Sequence, residues 1–174
     1  MTPFVHDALA FAAKAHADVR QVRKYTGEPY IVHPIEVMMI TSTAGSVTEE
    51  MLAAALLHDV IEDTRVTLSE VERAFGLNVA TFVEELTEPS RPGNRAERKK
   101  AEVSRLANIS AEAQTIKLAD LISNSRTIVD FDPRFAKVYL PEKANVLSVL
   151  TRGDRALRSM AWDLIPAEYD TRQR

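Results

Sequence analysis

The sequence predicts an all-α fold, and three observations carry that prediction. Apolar residues recur at three- and four-residue spacing in successive segments, no segment sustains the two-residue alternation of a strand, and Ser, Thr or Asp precedes several segments as a potential cap. Thr2-Pro3 supplies a cap and a first-turn proline, and Phe4, Ala8, Phe11, Ala12 and Ala15 keep helical spacing, so a first helix is expected near residues 3–19. "RQVRKYTGEPYIVHP" brings Gly27 and two prolines and reads as a cation-bearing loop ending where a second helix starts, near His33-Pro34. Ser46 with Glu49 makes a capping-box pattern before "MLAAALLHDVIED", and Thr67 with Glu70 makes another before a short helix stopped by Gly76. Residues 77–87 continue in helical rhythm, and Pro89, Pro92 and Gly93 form a loop. "NRAERKKAEVSRLA" then reads as a polar helix with Arg95, Arg98, Lys99 and Lys100 on an exposed face. Ser110 can cap "AEAQTIKLADLISNSRTIVDF", and Asp132-Pro133 opens a further helix that Pro141 breaks or kinks. A last helix is expected from about Asp154 to Ile165, between Gly153 and Pro166, followed by a short polar tail.

A chain of 174 residues fits one domain, with a core over about 3–165, and at that length about 70% of the unfolded surface can be buried. The net charge of −3 lacks the electrostatic footprint of a duplex-binding protein, so nucleic acid is not the expected partner. There is no cysteine, which excludes disulfides, thiolate metal sites and a cysteine nucleophile; any metal must be held by nitrogen and oxygen. Polar residues interrupt every apolar stretch of the N-terminus, so neither a signal peptide nor a membrane span is expected, and the cytoplasm is the default location. Oligomeric state leaves no trace in the sequence.

The most informative stretch is "AALLHDVIEDT", residues 54–64. If one helix carries it, His58 and Glu62 are i, i+4, as are Asp59 and Asp63, and four titratable side chains share a patch two turns long. Ala53, Ala54, Ala55, Leu56, Leu57, Val60 and Ile61 make that helix apolar nearly all round, so its polar groups need partners. A metal ion is one such partner, and a satisfied core pair is the plain alternative. A second embedded acid is Asp120 in "TIKLADLISNSRT", where Asn124 and Thr127 follow at i+4 and i+7. Its apolar neighbours favour ligation over a salt bridge to Lys117 or Arg126. Tyr30 is most simply packing, and His6 and His16 structural or exposed.

His33, then His58-Asp59, then Asp120 follows the H…HD…D order of the HD phosphohydrolase superfamily. "HDVIEDT" resembles the HDxxED motif of its guanosine polyphosphate hydrolase branch, and "RKYTGEPYIVHP" and "KLADLISNSRT" resemble the RelA/SpoT-type hydrolase domains and stand-alone small alarmone hydrolases over roughly residues 5–150. The resemblance implies an all-α HD-domain bundle. It also implies that His33, His58, Asp59 and Asp120 ligate one divalent ion, usually manganese, and that Glu62 and Asp63 activate and position the attacking water. It places Arg23 and Lys24 beside the substrate's phosphates, and Asn124 and Thr127 at the nucleoside. Two departures stand out: the loop from Arg23-Lys24 to His33 is one residue longer than in the long bifunctional enzymes, and Leu121 occupies the place of a basic residue.

The implied activity is metal-dependent removal of the 3′-pyrophosphate of guanosine tetra- or pentaphosphate, without synthetase activity. A divalent ion can bring the pKa of its bound water to about 7 and polarise a phosphoryl oxygen, and Arg23 and Lys24 can neutralise charge on the leaving oxygens. With only His6 and His16 left over, a single-metal site is expected. The same ligand set also suits another nucleotide phosphohydrolase, an NADPH 2′-phosphatase or a nucleotidase. From a different class comes a non-catalytic HD domain that only binds nucleotide.

Overall fold

Side-chain caps open most of the helices of this computed structural model, which describes residues 1–90 and 92–170; the end of the polar tail lies outside the described residues. Two compact units divide the chain, residues 1–87 and 88–174. The first contains α1 (Pro3–Asp18), α2 (Val32–Thr41), α3 (Glu49–Leu57), α4 (Val60–Asp63), α5 (Leu68–Phe75) and α6 (Leu77–Leu86). The second contains α7 (Arg95–Leu106), α8 (Ala111–Phe131), α9 (Pro133–Val149), α10 (Arg155–Asp163) and a 3₁₀ turn, Ala167–Tyr169. No strand occurs among the described residues, only an isolated antiparallel bridge between Val22 and Pro29, so the all-α expectation is met. No described helix is long and apolar enough to cross a membrane.

Caps fall mostly where the sequence marks them. Thr67 and Glu70 form the expected reciprocal box, and Gly76, at φ 85°, ends α5. Ser110 and Asp132 accept from the third residue of α8 and α9. The box expected at Ser46–Glu49 does not form. Thr48 caps α3 instead, accepting from Met51 N at 3.2 Å, and Glu49 and Glu50 complement the helix dipole from the first turn. A second reciprocal box, Asn94 with Glu97, begins α7. Pro141 lies inside α9 without ending it, at the loss of one backbone bond.

In the first unit α3 is the central helix, packed by α1, α2 and α6. Ala53, Ala54, Ala55, Leu56 and Leu57 are all fully buried, and the alanines let neighbouring helices approach closely. Phe4 and Phe11 meet Phe75 edge-on, with centroids 6.0 and 5.3 Å apart, and fasten α1 to α5.

In the second unit α8 packs against α9 and α10, and α7 against α9. Trp162 and Leu118 are fully buried there. The cationic face expected on α7 is engaged: Arg95 makes a bidentate pair with Glu142 at 2.8 Å, and Lys99 pairs with the buried Glu102. Buried Gln114 donates to Leu106 O and accepts from Arg152 N and Gly153 N, tying three segments together. A Cβ on Gly153 would lie 2.8 Å from Leu118 Cδ1 and 3.1 Å from Gln114 C and Thr115 N. Gly153→Ala should therefore destabilise by about 1–3 kcal/mol through overpacking, read as a lower urea midpoint at unchanged slope; an unchanged midpoint would mean that the segment shifts freely.

Candidate metal and hydrolytic site

The site of the first unit is set by a break in the backbone. The single helix expected across residues 54–64 is two helices: α3 ends at Leu57, and Asp59, at φ −101° and ψ −4°, leaves the helical ladder before α4 begins. His58 and Glu62 are therefore not i, i+4 on one helix. His58-Asp59 occupy the turn between α3 and α4, whereas Glu62 and Asp63 are exposed on α4. A turn can aim both side chains of a neighbouring pair at one point, which a helix, spreading neighbours by about 100°, cannot.

The point of convergence is Asp59 Oδ2. His58 Nε2 lies 3.0 Å from it and His33 Nε2 3.7 Å, with the two imidazole centroids 5.2 Å apart. His33 is buried in the first turn of α2, after a turn in which its N–H donates to Tyr30 O. His58, also buried, has Nδ1 2.8 Å from Ala55 O. That bond places the proton of a neutral ring on Nδ1 and leaves Nε2 as a lone pair. A lone pair facing a carboxylate oxygen at 3.0 Å is repulsive unless a cation or a proton lies between them. Two imidazole nitrogens and a carboxylate oxygen form a donor set of intermediate softness, which suits a divalent transition ion.

Side chains that the sequence gave no reason to include support this point. The Tyr30 hydroxyl donates to Asp59 Oδ2 at 2.6 Å, a contact and not mere packing. Gln21 donates to Asp63 Oδ2 at 2.8 Å, and Gln21 Oε1 lies 2.6 Å from Nδ1 of the buried His16. Burial lowers the His16 pKa below the usual imidazole value, against the raising influence of the Gln21 bond and of Asp59 and Asp63. A glutamine two residues before Arg23 and a tyrosine three before His33 were the available signals, but neither residue type is diagnostic by itself.

Arg23 and Lys24 belong to the loop bridged by Val22 and Pro29, where Arg23 N donates to Glu28 O and Gly27 N to Arg23 O. Gly27 takes φ 71°, a conformation that favours glycine. Arg23 is half-buried, and exposed Lys24 lies over the Tyr25 ring.

In the second unit Asp120 is buried on α8. Lys117 Nζ is 2.7 Å from Asp120 Oδ2, so the salt bridge that the apolar neighbours argued against does form, because the long lysine chain spans one turn to reach its acid. Asn124 donates to Oδ1 from the next turn, as the i+4 spacing implied. Thr127 turns its hydroxyl back to Ser123 O at 3.2 Å. Tyr139 is buried on α9, where desolvation and then Asp120 raise its pKa, and the half-buried Lys143 sits 5.0 Å over its ring. Each unit thus offers buried candidate ligands for a metal ion: His33 and His58 in the first, and Asp120 in the second.

Comparison with known proteins agrees with this chemistry. The family model of the HD domain matches residues 8–149. The guanosine-3′,5′-bis(diphosphate) 3′-pyrophosphohydrolase MESH1 of Danio rerio is 40% identical over 129 residues, 73% of this chain and 70% of that protein. The guanosine-3′,5′-bis(diphosphate) 3′-pyrophosphohydrolase of Aquifex aeolicus is 32% identical over 95% of this chain, which spans only 25% of that longer protein. Among solved structures, a metazoan ortholog of SpoT described as hydrolysing ppGpp superposes with a TM-score of 0.85 at 31% identity, covering 94% of each chain.

Proposed function

Because the chain belongs to the HD-domain family, in its guanosine polyphosphate pyrophosphohydrolase branch, we propose that it hydrolyses the 3′-pyrophosphate of guanosine tetra- or pentaphosphate. Water adds to the pyrophosphoryl group, and the products are pyrophosphate with GDP or GTP. The observation that carries the proposal is the convergence of His33 Nε2 and His58 Nε2 on Asp59 Oδ2. Asp120 completes the set in this reading, supported by its burial and by the H…HD…D order of the sequence. One manganese ion is the cofactor: His6 is exposed on α1 and His16 is engaged with Gln21, which leaves no imidazole pair for a second ion.

His33, His58, Asp59 and Asp120 would hold the ion, which would supply Lewis acidity to water and to a phosphoryl oxygen. Glu62 takes the proton of the attacking water, and Asp63, held by Gln21, orients that water. Arg23 and Lys24 face the phosphate charge that develops as the bond breaks. Asn124 and Thr127 hold the nucleoside, and the bond from Asn124 to Asp120 links that contact to the ligand set.

The test is release of pyrophosphate from ppGpp by the metal-stripped protein, with manganese restored, beside GDP, NADPH and a deoxynucleotide panel. Manganese-dependent pyrophosphate from ppGpp alone is expected, abolished by EDTA and recovered with excess manganese. Phosphate from NADPH or a nucleotide with ppGpp intact would transfer the activity to another substrate.

A further inference from the structure

We propose that His16 is a positioning residue that orients the Asp63 carboxylate through Gln21; the role given to Asp63 rests on the hydrolase reading above. An ionised carboxylate accepts hydrogen bonds and cannot donate them, so the Gln21 atom 2.8 Å from Asp63 Oδ2 must be the amide nitrogen. Gln21 Oε1 is then the atom 2.6 Å from His16 Nδ1. A carbonyl oxygen accepts, so the proton of His16 must sit on Nδ1. Three side chains are thus linked in series: flipping the Gln21 amide would set its oxygen against the Asp63 carboxylate, and moving the His16 proton to Nε2 would set two acceptors against each other at Gln21 Oε1.

The series runs from the core to the surface. His16 is 1% exposed on α1, Gln21 is half-buried and Asp63 is exposed on α4. The His16 ring is braced against Tyr30, with centroids 4.7 Å apart, and the Tyr30 hydroxyl holds Asp59. An exposed aspartate left alone would distribute over rotamers; tied to a buried imidazole, it keeps one direction.

Packing does not account for a histidine here. His16 Nε2 is buried without a hydrogen-bond partner among the described residues. An apolar side chain beside Ala12 and Ala15 would fill the same space without leaving that lone pair bare. The Nδ1 donor explains why the unsatisfied nitrogen is tolerated.

Three variants and one spectrum test the assignment. His16→Phe keeps a ring against Tyr30 and removes the donor, His16→Asn keeps an N–H near the Nδ1 position and removes Nε2, and Gln21→Ala cuts the link from a half-buried loop. The expected loss in kcat for ppGpp is about 10–100-fold in His16→Phe and Gln21→Ala, with KM changed by less than about twofold and kcat restored in His16→Asn. Long-range ¹H–¹⁵N correlation of the wild-type protein should show His16 protonated at Nδ1, a result that depends on no substrate. An Nε2–H tautomer, wild-type kcat in His16→Phe, or equal losses in His16→Phe and His16→Asn at matched melting temperatures would overturn the assignment. A wild-type protein that leaves ppGpp intact defeats the substrate reading alone, and the tautomer then decides the assignment of His16 by itself.

Discussion

His58→Ala is expected to lower kcat/KM for ppGpp by about three orders of magnitude, the loss of several kcal/mol of charge stabilisation supplied through a metal ion. His58 Nε2 lies 3.0 Å from Asp59 Oδ2, with its other nitrogen tied to Ala55 O, so the ring is held in a single useful orientation. No neighbouring residue can replace it, because His33 approaches the same oxygen from 3.7 Å on a different helix. The check is manganese stoichiometry by atomic absorption beside steady-state kinetics. Loss of both metal and turnover in a variant that keeps its helical circular dichroism is the expected pattern. Full metal occupancy with full activity would remove His58 from the ligand set. The buried position makes some loss of stability certain, so the metal content and not the melting temperature is the deciding quantity.

Glu62→Gln should separate proton transfer from ligation. Glu62 is exposed on the short helix α4, so an isosteric amide costs the fold almost nothing. General acid–base catalysis by a placed side chain contributes about 10²–10⁴-fold, and that is the expected fall in kcat. Manganese affinity by calorimetry and the thermal midpoint should match the parent protein. Retained turnover would take the proton-accepting role away from Glu62, and weakened manganese binding would make it a ligand.

Much of the fold was legible because its determinants are local. A capping box spans four residues, so Thr67 with Glu70 could be read without tertiary knowledge, as could Ser110 and Asp132. The error at Ser46 has a local cause as well: Thr48 is an equally good cap, and the choice between them follows from where α3 packs. The break at His58-Asp59 was invisible because apolar periodicity on both sides continues in phase, and two residues of changed backbone leave no mark on it. The candidate site was legible where residue type draws attention: the structure does bring His33 and His58 beside Asp59, the residues that the sequence singles out in the first unit. It was not legible where ordinary residues act through distant contacts: Tyr30 reaches Asp59 across 29 positions and Gln21 reaches Asp63 across 42. The pairing of Lys117 with Asp120 was within reach of an i, i+3 rule, and the apolar surroundings of Asp120 hid it.

The crowding of acceptors around Asp59 Oδ2 has a thermodynamic consequence beyond catalysis. Folding gathers groups that repel one another when no ion is present and attract one when it is, whereas the unfolded chain disperses them. By linkage, the stability of the native state then rises with the logarithm of the free-ion activity once that activity exceeds the dissociation constant. The ion supply becomes a variable of protein abundance as well as of rate.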